Sequence, residues 1–200
     1  RPSSKGQRPN EADEWAKIKN DNMPQAEYEV WLGKVFSNMT SSMGTGTAFY
    51  IWNGHRQFGP MHQILTGQGC HISCVITWAK ERFALGYGDY NQQTEFCLYG
   101  WKEDNGAHKW YGPVGESTLW DISRDGIHTY QHPTQKPVAL AERAIKNSSK
   151  REDLVLDLFL GSGTTLIAAE GLGRHCYGME LDPGYCDVIV RRYMNLVGPG

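Results

Sequence analysis

LVLDLFLGSGTT, Leu154 to Thr165, begins as a short apolar run and breaks abruptly into Gly161-Ser-Gly163. The run is too short and too rich in Leu and Val for a surface helix, so it predicts a strand buried on both faces of a parallel sheet. Glycines at the break let the chain turn sharply and let a ligand approach the backbone. The helix that should follow, Thr164 to Glu170, points its free N–H groups at whatever anionic group lies over the turn. A second apolar run ends at Glu180, 19 residues after Gly161, where a carboxylate can accept both hydroxyls of a ribose. Strand, glycine turn, helix and a spaced acid together define a nucleoside-binding unit. A dinucleotide site would carry a third glycine three residues after the second. That position is Leu166, which disfavours a pyrophosphate.

Upstream lies His132-Pro-Thr-Gln-Lys-Pro137, followed by a helical pattern from Pro137 to about Ser148 with Val138, Ala141, Ala144, Ile145 and Ser148 inward and Glu142 and Lys146 as an outer pair. In this order, HPTQKP, a helix, D-x-F-x-G-S-G-T-T and then G-x-E-L-D-P, the chain resembles the permuted DNA amino-methyltransferases that use S-adenosylmethionine. The resemblance covers roughly residues 15 to 197. It implies an α/β, doubly wound, Rossmann-like methyltransferase sheet with a small loop-rich target-recognition insertion. It also implies methyl transfer to the exocyclic amine of a flipped adenine, or less often cytosine, in double-stranded DNA. By the same resemblance Phe159, Gly161, Ser162, Gly163 and Thr164 hold the methionine part of the cofactor, and Glu180 with Leu181 lies at the ribose. Asp157 meets the cofactor's amino group, and His132, Thr134, Gln135 and Lys136 sit near its methionine end.

The remaining pattern is that of alternating helix and strand. From Pro24 onward Tyr28, Trp31, Leu32, Val35, Phe36 and Met39 recur at helical spacing and read as a core stripe. Thr47–Trp52, Ile72–Trp78 and Thr94–Tyr99 read as strands, Pro60–Leu65 as a short helix, His175–Glu180 as a strand, and Pro183 to about Leu196 as a last helix capped by Asp182. Between Lys80 and Gln131 aromatic and glycine residues crowd together and periodicity weakens. This stretch reads as loops, with a hairpin at Asn105-Gly106. The expected division is therefore one methyltransferase domain, 1–200, with 81–131 as the target-recognition region and 132–200 as the cofactor-binding part.

Composition narrows the partners. Twenty Lys plus Arg stand against 22 Asp plus Glu, so any contact with DNA must be a local patch rather than bulk positive charge. The candidates are Arg1, Lys5 and Arg8 in a polar N-terminal stretch that reads equally as a solvated tail, Trp78 and Lys80 in a W-x-K arrangement shared with the resembled family, and the loop aromatics Tyr87 and Tyr90. Five cysteines without paired CxxC spacing favour a reducing compartment, with cytoplasm the simple reading. Cys70 and Cys74 around His71 read as packed side chains, and no metal site is expected. No apolar run reaches membrane-spanning length.

One departure from the family is an absence. Its catalytic tetrapeptide, a polar residue followed by Pro-Pro and an aromatic, grips the target amine from the end of a central strand. No Pro-Pro occurs in this sequence. Asp182-Pro-Gly-Tyr185 looks similar but follows the ribose strand and reads as a helix cap. The expectation is that a strand between those at Val155 and Phe49 comes from residues upstream of Arg1 or from another chain, a homodimer partner included. These 200 residues alone should then bind cofactor without turnover, their catalytic residues being unknown. Two other classes stay open, a dinucleotide-dependent oxidoreductase and a non-catalytic remnant of the methyltransferase fold that binds cofactor or DNA.

Overall fold

A computed structural model describes residues 23–85, 89–103, 108–124 and 135–198. In chain order the elements are α1 (Gln25–Ser42), β1 (Ala48–Asn53), α2 (Phe58–Gly67), β2 (Cys70–Ala84), β3 (Gln92–Lys102), β4 (Leu119–Asp121), α3 (Val138–Ser148), β5 (Leu154–Asp157), α4 (Thr164–Gly171), β6 (His175–Gly178) and α5 (Pro183–Val197). The strands form a four-stranded sheet in the order β1-β3-β2-β4 and a separate parallel pair β5-β6.

Strand alternation explains how the larger sheet is covered on both faces. Phe49 of β1, Cys70 of β2 and Leu98 of β3 face Leu32 and Phe36 of α1 and Met61 and Leu65 of α2. The intervening residues, Tyr50 and Trp52, Ile76 and Trp78, Cys97, Tyr99 and Trp101, face Trp120 and Leu140 of α3 on the other side. Helix α3 has a second apolar side. Its Ile145, with Val138 and Ala141, packs on Ala168 and Ala169 of α4 and on Val155 and Cys176 of the parallel pair. One helix thus joins the two sheets, which share no strand–strand hydrogen bond among the described residues.

The relative direction of the sheets follows from α3. Tyr50, mid-strand in β1, hydrogen-bonds Ser148 at the end of α3 (2.8 Å), whereas Trp52 lies under the ammonium of Lys136 just before its start (5.8 Å). Thr164, which opens α4 after β5, reaches the Lys136 carbonyl (3.3 Å). β1 and β5 therefore both run against α3 and end at the same edge of the molecule. The facing edges of β1 and β5 carry no ladder partner among the described residues, where the sequence predicts a further strand.

Several sequence expectations need correction. β5 is not buried on both faces: Val155 packs on the helices, but Leu154 and Leu156 alternate to an exposed face shared with Tyr177 of β6. The region from Lys80 to Gln131 is less loop-like than expected, because β2 continues to Ala84, β3 spans Gln92–Lys102 and β4 pairs parallel with β2. The turn of the expected hairpin, Asn105-Gly106, lies outside the described residues. Its second arm is no strand. His108 instead stacks on Trp101 (3.9 Å), and Tyr111 donates its N–H to the Asn147 carbonyl of α3 (2.8 Å). Trp31, placed by periodicity in the core stripe, sits at the helix rim and meets Phe159 (5.8 Å).

Candidate nucleoside site at the strand ends

The turn after β5 is stitched to the end of β6 by its own backbone. Leu160 donates to the Met179 carbonyl (2.9 Å), Met179 to that of Asp157 (2.9 Å) and Gly163 to that of Leu160 (2.8 Å). Asp157 stabilises the first half of the turn. One oxygen accepts the Phe159 N–H (3.0 Å) and the other the Thr165 hydroxyl (2.6 Å), so its carboxylate is oriented before any ligand arrives. Glu180 stabilises the second half, accepting the N–H of Gly161 on Oε2 and that of Asp182 on Oε1, each at 2.8 Å. Every carboxylate oxygen has room for more than one donor, so both acids keep acceptor capacity toward the open side.

Gly161 and Gly163 take positive φ, +55° and +84°, which L side chains rarely adopt. Their surroundings differ. A Cβ on Gly161 would meet only the Phe159 carbonyl at 3.9 Å, so open space lies over it, whereas one on Gly163 would press on Ile189 of α5 at 3.2 Å. Gly161 thus leaves the turn open to approach, whereas Gly163 is closed by packing. Ser162 between them is buried, its carbonyl and hydroxyl both held by Arg192 of α5 (2.6 and 3.0 Å). Phe159 and Leu181 flank the turn with apolar side chains 60% and 71% exposed. Large apolar groups left in water beside a polar, preorganised turn are what a nucleoside would cover.

Lys136 connects this turn to the larger sheet. Its carbonyl takes the Thr164 hydroxyl, but its ammonium turns away to Glu95 Oε2 on β3 (2.8 Å) and lies over Trp52. Glu95 Oε1 pairs with Lys80 (2.6 Å). Burial pushes the Glu95 carboxyl up, but Lys136 and then Lys80 outweigh it and hold the carboxyl below its ordinary range. Gln135 beside Lys136 is buried.

The predicted DNA contacts divide. Trp78 is 2% exposed, a core ring whose N–H is spent on the Ile122 carbonyl (2.7 Å), so the assignment of this residue to a DNA surface is corrected. Lys80, at 8% exposure, is no free surface cation either, since burying its ammonium requires the Glu95 carboxylate. Tyr90 is an exposed ring. Arg1, Lys5, Arg8, Tyr87, His132 and Thr134 lie outside the described residues. Asp182 caps α5 through Gly184 N–H (2.8 Å), as the sequence predicts. His71 stacks on Trp101 (4.4 Å) rather than turning to Cys70 or Cys74, and no metal-holding cluster is found among the described residues.

Sequence reasoning missed Glu95, Glu116 and Arg192. Each acts on a partner 27 to 41 residues away, and isolated charges carry no periodic signal.

A split open sheet with a ligand turn at its strand ends is a Rossmann-like nucleoside-binding arrangement, and its likeness to known proteins makes it that of an S-adenosylmethionine-dependent methyltransferase. The N6/N4 DNA methylase family model matches residues 5–191, and the chain belongs to that family. It is 28% identical over 195 residues to the type II methyltransferase M2.MboI of Moraxella bovis, covering 90% of this chain and 69% of that protein. To M2.DpnII of Streptococcus pneumoniae it is 33% identical over 154 residues, 67% of this chain and 58% of the relative. Among solved structures, the M1.HpyAVI complex with S-adenosylmethionine superimposes with a TM-score of 0.73 at 27% identity, covering 86% of this chain and 85% of that one. The cytosine-N4-specific PvuII methyltransferase shares the fold, with a TM-score of 0.75 at 18% identity over 89% of this chain and 75% of that one. No described helix is long and apolar enough to cross a membrane.

Proposed function

We propose that this chain forms the cofactor-binding and target-side parts of a type II DNA methyltransferase that modifies the exocyclic amine of adenine, with cytosine the second choice. The observation that supports it most is the Glu180 carboxylate held by Gly161 and Asp182 N–H groups beside the open face of Gly161. The cofactor supplies an already activated methyl on a sulfonium, so the protein's work is orientation and the stabilisation of charge on the amine nitrogen. Glu180 directs ribose hydroxyls to its outer lone pairs. Phe159 and Leu181 cover apolar parts of the ligand, and the Gly161–Thr164 backbone with Ser162 borders the methionine part. Asp157, held by Phe159 and Thr165, faces the cofactor's amino group, and Lys136 contributes its carbonyl side, next to Gln135. The amine loses a proton as it gains the methyl.

On this reading residues 81–131 belong to target recognition and 132–200 to the cofactor half, in one domain. The relatives are type II methyltransferases, which supports a place beside a restriction nuclease. Calorimetry with S-adenosylhomocysteine and with NAD tests the cofactor: binding of the first alone is expected, and binding of NAD alone overturns the reading. Mass analysis of nucleosides from DNA of cells expressing the protein together with the family's tetrapeptide strand distinguishes N6-methyladenine from N4-methylcytosine, and the appearance of neither refutes the activity.

A further inference from the structure

We propose that Lys136, backed by Lys80 and bridged to it by Glu95, forms an anion site for a phosphate of the DNA strand next to the extruded nucleotide. This rests on the DNA methyltransferase reading and adds to it where the target strand is held. One carboxylate stands between two ammonium groups, Oε1 to Lys80 at 2.6 Å and Oε2 to Lys136 at 2.8 Å, so the cluster keeps one positive charge that nothing in it neutralises. Each ammonium has three donors, and among the described residues each gives a hydrogen bond to Glu95 alone. The other neighbours are rings, Trp78 under Lys80 (5.3 Å) and Trp52 under Lys136 (5.8 Å). Aromatic walls exclude water and strengthen the pull of an uncompensated charge on an incoming anion.

Position selects the anion. Glu95 pairs with Trp78 across β3 and β2, and Trp52 pairs with Cys97, so the cluster lies beside the end of β1, against the interior of β2 and near the start of β3. The glycine turn opens at the edge where β1 and β5 end, but the Lys136 ammonium faces away from that turn, across the gap between β5 and β1 and toward the larger sheet. An anion there belongs to what lies opposite the cofactor. Lys80 is almost wholly buried whereas Lys136 remains 29% exposed, so Lys136 makes the contact and Lys80 supplies the charge that Glu95 cannot cancel. With 20 basic against 22 acidic residues in the whole chain, such a local excess is also what DNA binding requires.

The test uses the full chain, a 20-base-pair duplex as probe at several salt concentrations, and S-adenosylmethionine in a separate titration. Lys136→Met is expected to weaken duplex binding about tenfold, as for a lost charge-assisted hydrogen bond, and to lower the salt slope by about one. Cofactor affinity is titrated beside it, and the loss of duplex binding should exceed any loss of cofactor binding, because the ammonium turns to Glu95 while only the Lys136 carbonyl meets the turn. Glu95→Gln provides the opposite sign. Freeing both lysines from their carboxylate should tighten the duplex even though the unpaired, buried Lys80 lowers the melting temperature, whereas weaker duplex binding would leave the bracket a structural role and overturn the proposal. Lys136→Arg should restore binding. If Lys136→Met weakens S-adenosylmethionine but not methylthioadenosine, which lacks the carboxylate, the site belongs to the cofactor and the proposal is overturned. It is overturned too if the wild-type chain binds no duplex. In that event cofactor binding shows whether the methyltransferase reading still stands, and its absence means that both have failed.

Discussion

Gly161 donates its backbone N–H to Glu180 Oε2 at 2.8 Å, joining the ligand turn after β5 to the acid that follows β6. The acid that would recognise a ribose is therefore also a structural strut, and its second oxygen holds the Asp182 N–H at the start of α5. Substitutions at Glu180 combine two effects that must be measured separately. Glu180→Ala leaves two backbone donors without their carboxylate. It should lower S-adenosylmethionine affinity by about 2 kcal/mol and stability by about 1–2 kcal/mol. Calorimetry reads the first and urea unfolding the second. Unchanged affinity with lowered stability would leave Glu180 as strut alone.

The two glycines of the turn should fail in different ways. Gly163→Ala forces a left-handed residue and a 3.2 Å contact with Ile189, costing about 1–2 kcal/mol of stability. Gly161→Val meets open space but forces a β-branched residue to φ +55°, so it should lower stability as well and, in addition, lose cofactor binding. Thermal melting with and without S-adenosylhomocysteine separates them: Gly163→Ala melts lower but still shifts with ligand, and Gly161→Val shows almost no shift. Equal ligand shifts would contradict the assignment of the open side of Gly161 to the ligand.

Glu116 clamps the 108–121 segment to α3. Arg143 reaches it through two nitrogens, Nε to both oxygens at 3.2 Å, and Asn147 adds a bond at 3.1 Å. The Arg143 hydrogen bonds, ahead of that from Asn147, hold the carboxyl below its ordinary range. A lowered folded value means the clamp is fully present above the ordinary carboxylate range and is lost as pH falls through the folded value. Wild type should thus lose its advantage over Glu116→Gln below about pH 4. The expected cost of Glu116→Gln at pH 7 is about 1–3 kcal/mol, by urea unfolding, since Arg143 would keep a buried side without its counter-charge. A pH-independent difference would show that charge plays no part.

With tritiated S-adenosylmethionine and duplex DNA, these 200 residues should bind the donor but label no DNA. The reason is geometric. On the proposed reading the turn orients one reactant, while the gap between the β1 and β5 edges, where the target amine would be gripped, receives no Pro-Pro tetrapeptide from this sequence. Supplying the family's tetrapeptide on its strand should bring labelling. Robust labelling without it would move attention to Asp182–Tyr185.

The local signals in this chain determined its local structure. Leu154–Thr165 is short, apolar and glycine-broken, and it folds as a strand and turn; Asp182-Pro183 caps a helix; the spacing of Leu32 and Phe36 places both inward. Each of these depends on backbone geometry or periodicity within a few residues, which a sequence displays directly. The match of HPTQKP and the glycine turn carried the family for the same reason. Tertiary structure alone decided which charges meet and which aromatic rings are hidden. Lys136 could be read beside the cofactor turn, yet its ammonium belongs to Glu95, 41 residues earlier, and Trp78 could be read as a DNA contact until the sheet covered it with α3 and Trp120. The exposure of Leu154 and Leu156 is likewise a property of what packs on β5, not of β5 itself. Long-range pairing depends on the desolvation of one group by another, and that becomes visible only when the chain has brought them together.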